Sequence, residues 1–127
     1  MKKDSMNYWF SPIVIILSIV VFSGCEKSSN DVKSKLLGTW ISTDLTDTIE
    51  FSSDNDLYKI IYRFGDHYDY SLSTDSIFIK YNGTQLPLSY MGPPKNHFYQ
   101  LNGNILTIDF RPYCFGFLSQ ITTFSRK

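Results

Sequence analysis

From Gly38 to the end of the chain, apolar side chains return at every second position, the period of a strand with one face buried. Eight such segments can be marked: Thr39–Thr43, Thr48–Ser52, Leu57–Phe64, His67–Leu72, Ser76–Tyr81, Asn96–Leu101, Asn104–Phe110 and Gln120–Ser125. In the third, Tyr58, Ile60, Tyr62 and Phe64 are expected to face inward and Lys59 and Arg63 outward. In the fourth, Tyr68, Tyr70 and Leu72 face inward against His67, Asp69 and Ser71. Gly65-Asp66 and Asn102-Gly103 have the composition of two-residue hairpin reversals, where a positive φ favours glycine or asparagine. The pattern predicts an all-β domain of antiparallel strands joined by hairpins.

An internal echo supports the pairing. Tyr70, Leu72, Ile77 and Ile79 recur in order as Tyr99, Leu101, Leu106 and Ile108, each set reading as strand, tight turn and return strand. Two connections are long: 82–95, with three prolines and Tyr90 and Met91, and 111–119, with Tyr113, Phe115 and Phe117. Aromatic loops on a β-domain either cover an open end or meet a partner. Packing over the end of the core is the simpler expectation.

The amino terminus follows different rules. Two lysines open the chain, an apolar run from Ile13 to Phe22 follows, and the small residues Ser23 and Gly24 come next. This is the layout of a secretory signal peptide, and the run is well short of the roughly 20 residues of a membrane-spanning helix. Phe22-Ser23-Gly24-Cys25 resembles the lipobox of bacterial lipoproteins, with Phe22 where leucine is commonest. That resemblance implies cleavage before Cys25, a diacylglycerol on its thiol and a fatty-acyl chain such as palmitate on its new amino group. The expected organisation is a signal peptide over 1–24, a polar tether over 25–35 and a β-domain over 36–127. Val32–Leu37 could supply one short helical turn at the end of the tether.

Charge and cysteine content narrow the function. The chain has 12 basic and 12 acidic residues, and loss of Lys2, Lys3 and Asp4 with the signal leaves a balance near neutral. Nucleic acid is therefore not an expected partner. Once Cys25 is lipidated, Cys114 is the single remaining cysteine; its apolar neighbours suggest a buried thiol. His67 and His97 lie in different strands without acidic or cysteine residues at ligand spacing, so no metal site and no cofactor is expected, and both are read as surface or rim residues. Asp44, Asp47, Asp54, Asp56 and Asp66 are read as turn residues that bond local amides. No nucleophile motif, carboxylate pair or phosphate loop is present, so enzymatic activity is not expected.

Leu37-Gly38-Thr39-Trp40 resembles the G-x-W opening of lipocalins, and the chain is similar in layout to small bacterial lipoproteins with a lipocalin-like domain. The resemblance extends over residues 36–127 through Ile49-Glu50-Phe51 and the Tyr-x-Leu hairpins. It implies a small antiparallel up-and-down β-barrel of about eight strands, structural roles for Gly38 and Trp40, and a basic residue, Arg126, packed over the tryptophan. A lipocalin that carries a large ligand is usually much longer, and the ring-rich inward set should nearly fill a barrel of this size. The expectation is an envelope lipoprotein, in the outer membrane in preference to the inner, that binds a small apolar or aromatic ligand at the barrel mouth. Tyr62, Tyr70 and Tyr99 are the candidate lining. The alternative is an interaction, structural or inhibitor module contacting an envelope protein through the loops 82–95 and 111–119.

Overall fold

The computed structural model of the protein describes residues 29–61, 64–83 and 92–127. The stretch read as a signal peptide, Cys25, Tyr62 and residues 84–91 of the first long loop lie outside the described residues. Among the described residues, one helix, α1 (Ser29–Leu36), precedes eight strands: β1 (Gly38–Ser42), β2 (Thr48–Phe51), β3 (Asp56–Ile61), β4 (Phe64–Leu72), β5 (Ser76–Tyr81), β6 (Lys95–Asn102), β7 (Ile105–Asp109) and β8 (Ile121–Arg126). Each strand pairs antiparallel with the next, and β8 pairs back with β1 to close an up-and-down barrel. Closure leaves no unpaired sheet edge.

The two echoing hairpins have the same register. Tyr70 faces Ile79 and Leu72 faces Ile77 across β4 and β5; Tyr99 faces Ile108 and Leu101 faces Leu106 across β6 and β7. Ile77, Ile79, Leu106 and Ile108 are buried with Trp40, Ile49, Phe51, Leu57, Tyr68, Phe110 and Phe124. Rings and branched aliphatics thus fill the barrel interior, as its small circumference requires.

Two turn readings are corrected. Gly65 and Asp66 lie within β4, opposite Ile60 and Lys59, so the reversal falls between Ile61 and Phe64. Gly65 has another role: its missing side chain makes room for the Tyr58 ring, whose hydroxyl a Cβ there would strike. Asn102 pairs with Ile105, so the two loop residues of the later hairpin are Gly103 and Asn104. Gly103 adopts φ 58°, a left-handed conformation open to glycine without strain.

The inward face of β3 is also the reverse of the expected one. Leu57 and Lys59 are buried, while Ile60 is 62% exposed and Tyr58 packs outside against His67. Directly paired antiparallel residues share a face, and Leu57 pairs with inward Tyr68. The register of β4 therefore overrides the apolar preference of Tyr58 and Ile60.

The barrel has a closed base and a looped mouth. The short turns β2–β3, β4–β5 and β6–β7 lie at the base with α1, and the long connections lie at the mouth. The helix begins at Ser29, inside the stretch read as tether. Asp31 near its start and Lys35 near its end suit the helix dipole and pair at 2.8 Å. Leu36 is fully buried, and its carbonyl accepts a 2.8 Å bond from Trp40 Nε1. The Arg126 guanidinium lies 4.4 Å from the Trp40 ring; its Nη1 donates to the Leu37 carbonyl at 2.6 Å and its Nη2 to that of Lys35. Gly38 stands at φ 118°, with Arg126 Nη1 only 3.1 Å from where a Cβ would sit. Backbone conformation and space both call for glycine there.

Candidate functional site

The β7–β8 loop folds back over the mouth, and its alternate aromatic residues enter the barrel. Phe117 stacks on Phe110 with centroids 4.2 Å apart and planes 12° from parallel, and Phe110 in turn meets His97 at 5.3 Å. Tyr68 lies 5.5 Å from both Phe117 and Tyr81, and Tyr81 meets Phe115 edge-on at 4.9 Å. Offset and edge-on contacts of this kind satisfy the ring quadrupoles. The Tyr68 hydroxyl donates to the Phe115 carbonyl at 2.9 Å, which fixes the loop to the core. Phe115 and Phe117 therefore cover the core end, while Tyr113 and Leu118 of the same loop stay exposed.

Charged groups face inward beneath these rings. Lys59 is 6% exposed; its Nζ forms an ion pair with Asp47 and lies 4.6 Å from the Phe117 ring centroid. Asp66, the cross-strand neighbour of Lys59, is equally buried and accepts a hydrogen bond from the Tyr81 hydroxyl. A Cβ on Gly83 would collide with both the Asp66 carboxylate and that hydroxyl, so the chain passes directly over the pair. Burial pushes the Cys114 thiol up to about 12, only partly offset by Lys59, and Cys114 is buried and unbridged. A thiol held protonated in this way is a poor nucleophile. Burial also raises the Tyr68 phenol far above its ordinary value, with Cys114 and Asp66 adding to the effect.

Among the described residues, two hollows at the mouth stand out. A cavity of about 190 Å³ lies where the end of β5 meets the start of β6, walled among the described residues by Tyr68, Ile79, Tyr81, Cys114 and Phe115 and edged by Lys80, Lys95 and the Gly92–Pro94 segment. Tyr113 also borders it, its ring 3.3 Å from where a Gly92 Cβ would sit. A wider, more open groove of about 430 Å³ runs between the β1–β2 turn, the end of β3 and the β7–β8 loop. Ile60, Phe117 and Leu118 supply its apolar side, and Lys59 and Asp47 its polar floor.

Of the tyrosines singled out in the sequence, the two that are described, Tyr70 and Tyr99, do not line these hollows. Tyr70 is buried with its hydroxyl donating to the Ser53 carbonyl at 2.8 Å, which places it toward the base. Burial pushes its phenol up to about 12. The Tyr99 amide donates to the Asp75 carbonyl in the β4–β5 turn, also at the base. Tyr62 lies outside the described residues. Cys25 does as well.

The histidine reading divides. His67 is exposed, with Nδ1 2.9 Å from an Asp56 oxygen. His97 is fully buried, a correction to its reading as a rim residue: Nδ1 donates to the Asp109 carbonyl at 3.1 Å and the ring packs on Phe110. Its Nε2 has no hydrogen-bond partner among the described residues, and burial lowers its pKa below 6.5. Asp56 and Asp66 are corrected too, because both belong to strands rather than turns. Parity alone could have found Asp66, since it shares the inward face of Tyr68 and Tyr70. Lys59 then follows by pairing.

Comparison of the chain with protein-family models, curated proteins and solved structures yields no match.

Proposed function

We propose that this protein is a lipid-anchored module of the cell envelope that binds a small apolar or aromatic molecule at its barrel mouth, without catalysing a reaction. The observation that carries the binding reading is the cavity of about 190 Å³ walled by Tyr68, Tyr81, Phe115 and Ile79. It is smaller than the roughly 300–1,000 Å³ of pockets for drug-sized ligands. It is comparable to the roughly 150 Å³ apolar cavity that accepts benzene in an engineered protein. A single ring, rather than a long chain, fits this space.

The anchoring reading rests on the lipobox-like Phe22-Ser23-Gly24-Cys25 behind its apolar run. With α1 starting at Ser29 and closing the barrel base, three residues would separate a lipidated Cys25 from the folded domain. The base would then lie toward the bilayer and the mouth away from it. An outer-membrane position is the form of this reading we favour. In Cys25→Ser, the acyl mass increment should disappear from the intact protein and the chain should leave the membrane fraction. Retention in the membrane with no change in mass would remove the anchor. Native mass spectrometry of the wild-type protein released from envelopes should show a co-purified molecule of single-ring size; a bare protein that also takes up no added aromatic compound would remove the binding reading.

A second reading, contact with an envelope protein, is favoured by a different observation. Leu45, Ile60, Tyr113 and Leu118 are exposed on mouth segments, and Ile60, Tyr113 and Leu118 border the larger groove. Clustered apolar exposure of this kind marks interaction surfaces.

A further inference from the structure

The larger groove at the mouth has hydrogen-bonding capacity that the fold does not use. On its floor the Lys59 ammonium donates to one carboxylate oxygen of Asp47 and lies 4.6 Å from the Phe117 ring centroid. An ammonium has three N–H donors and a carboxylate two oxygens. Among the described residues no further acceptor meets Lys59 Nζ, and nothing donates to the second oxygen of Asp47. Both side chains are largely withheld from water, at 7% and 20% exposure. Unspent donors and acceptors in such a place favour a ligand that supplies their complements. Neither group is loose. The Asp47 amide donates to Ser42 Oγ at 2.9 Å, and its carbonyl accepts from the Ser42 amide at 2.8 Å. Asp44 ties the same turn by accepting from Ser42 Oγ and the Thr46 amide. Phe117, beside Lys59, is fixed by its stack on Phe110.

The floor is thus a preorganised donor and acceptor side by side, their charges paired. Such a pair gives no advantage to an ion, because a carboxylate would meet Asp47 and an ammonium would meet Lys59. An extended peptide residue matches it. The N–H and C=O of one such residue project from the same edge, as they do between paired strands. Exposed Ile60 and Leu118 stand beside the floor and offer apolar surface to a side chain of the same segment. The groove, about 430 Å³, lies within the roughly 300–1,000 Å³ of ligand pockets. We infer that it receives an extended segment of a partner protein, one residue's carbonyl on Lys59 and its amide on Asp47, with an apolar side chain against Ile60 and Leu118. This deepens the protein-contact reading above and rests on it.

The experiment uses the full-length protein in an uncharged sugar detergent, with isotope-labelled isoleucine and leucine methyl groups. Two neutral peptides are titrated, acetyl-Ala-Leu-Ala-amide and acetyl-Ala-Ala-Ala-amide, and the methyl signals of Ile60 and Leu118 report binding. The leucine peptide should bind about tenfold more tightly than the alanine peptide. In Asp47→Ala/Lys59→Met, where both charges leave together, the leucine peptide should weaken about tenfold. Leu118→Ser should instead erase most of the preference for leucine, read at Ile60, with the ion pair intact. Leu118 is exposed, so this second variant keeps the test decisive if the first fails to fold. Equal binding of the two peptides, full binding by Asp47→Ala/Lys59→Met, or no binding of either peptide would each overturn the inference. Photocrosslinking in intact envelopes, from p-benzoylphenylalanine in place of Leu118, tests the contact reading separately. A discrete protein adduct without peptide binding would leave that reading standing and remove the inference; no adduct and no peptide binding would remove both.

Discussion

The residue that most changes the picture of this barrel is Lys59. Alternation alone places a lysine among tyrosines on the solvent side, yet here it points inward with Asp47 as its counter-ion and the Phe117 face beside it. Taking an ammonium out of water costs several kcal/mol, and it persists where a carboxylate and a ring offset that loss. Removing one partner should therefore hurt more than removing both. Asp47→Asn is expected to destabilise the fold by about 2 kcal/mol, less than a fully buried pair would lose because the mouth is partly wet. Adding Lys59→Met should restore most of that loss, since a methionine can lie along Phe117 without a charge. Urea denaturation of the two variants checks the order, and an additive double variant would refute the coupling.

At the scale of elements, the hairpins show how far local chemistry reaches. The β6–β7 hairpin is set by Gly103, whose φ of 58° and open surroundings isolate the backbone contribution, because a Cβ there would meet nothing within 4 Å. Gly103→Ala should cost about 1 kcal/mol, the strain of a left-handed residue with a side chain. A drop in urea midpoint without a change in slope would report this; a neutral outcome would contradict the turn conformation. The β3–β4 hairpin shows the opposite case. Gly65-Asp66 has turn composition, but Gly65 serves as a seat for the Tyr58 ring and Asp66 as an acceptor for Tyr81. Both demands come from other strands, so composition within the hairpin could not disclose them. The helix α1 was only half legible for a related reason. Its length is short for independent stability, and burial of Leu36 against the barrel base holds it.

For the whole molecule, buried titratable groups set the range of pH over which the barrel is most stable. His97 has its pKa lowered from 6.5, chiefly by burial, so the unfolded chain takes up the proton more readily than the folded one. Stability from this group is present above pH 6.5 and is lost as pH falls through the folded-state value. On the alkaline side, burial raises Cys114 from 9.0 to about 12 and Tyr70 from 10.0 to about 12. The unfolded chain then releases these protons first, and stability is lost as pH rises above about 9 toward the folded-state values. Urea midpoints measured from pH 5 to pH 11 should form a plateau between those limits. His97→Leu should flatten the acid limb and leave the alkaline limb in place; an acid limb of unchanged steepness would exclude His97 as its source.

The sequence by itself determined the strands and their order. A period of two, a reversal every few residues and one repeated hairpin pattern are local properties, and closure follows because eight short strands with one apolar face bury it best on themselves. Burial of Cys114 was also legible from its apolar neighbours. Only the tertiary structure decided what faces the mouth. Lys59 meets Asp47 from twelve positions away through the pairing of β2 with β3, and Tyr68 holds Phe115 from 47 away, so both contacts exist only once strands have paired and the loop has returned. The same holds for the ring-walled cavity, whose walls neighbouring strands and a returning loop bring together. Side-chain alternation is written along the chain, whereas the face each strand turns inward is set by the register of its neighbour.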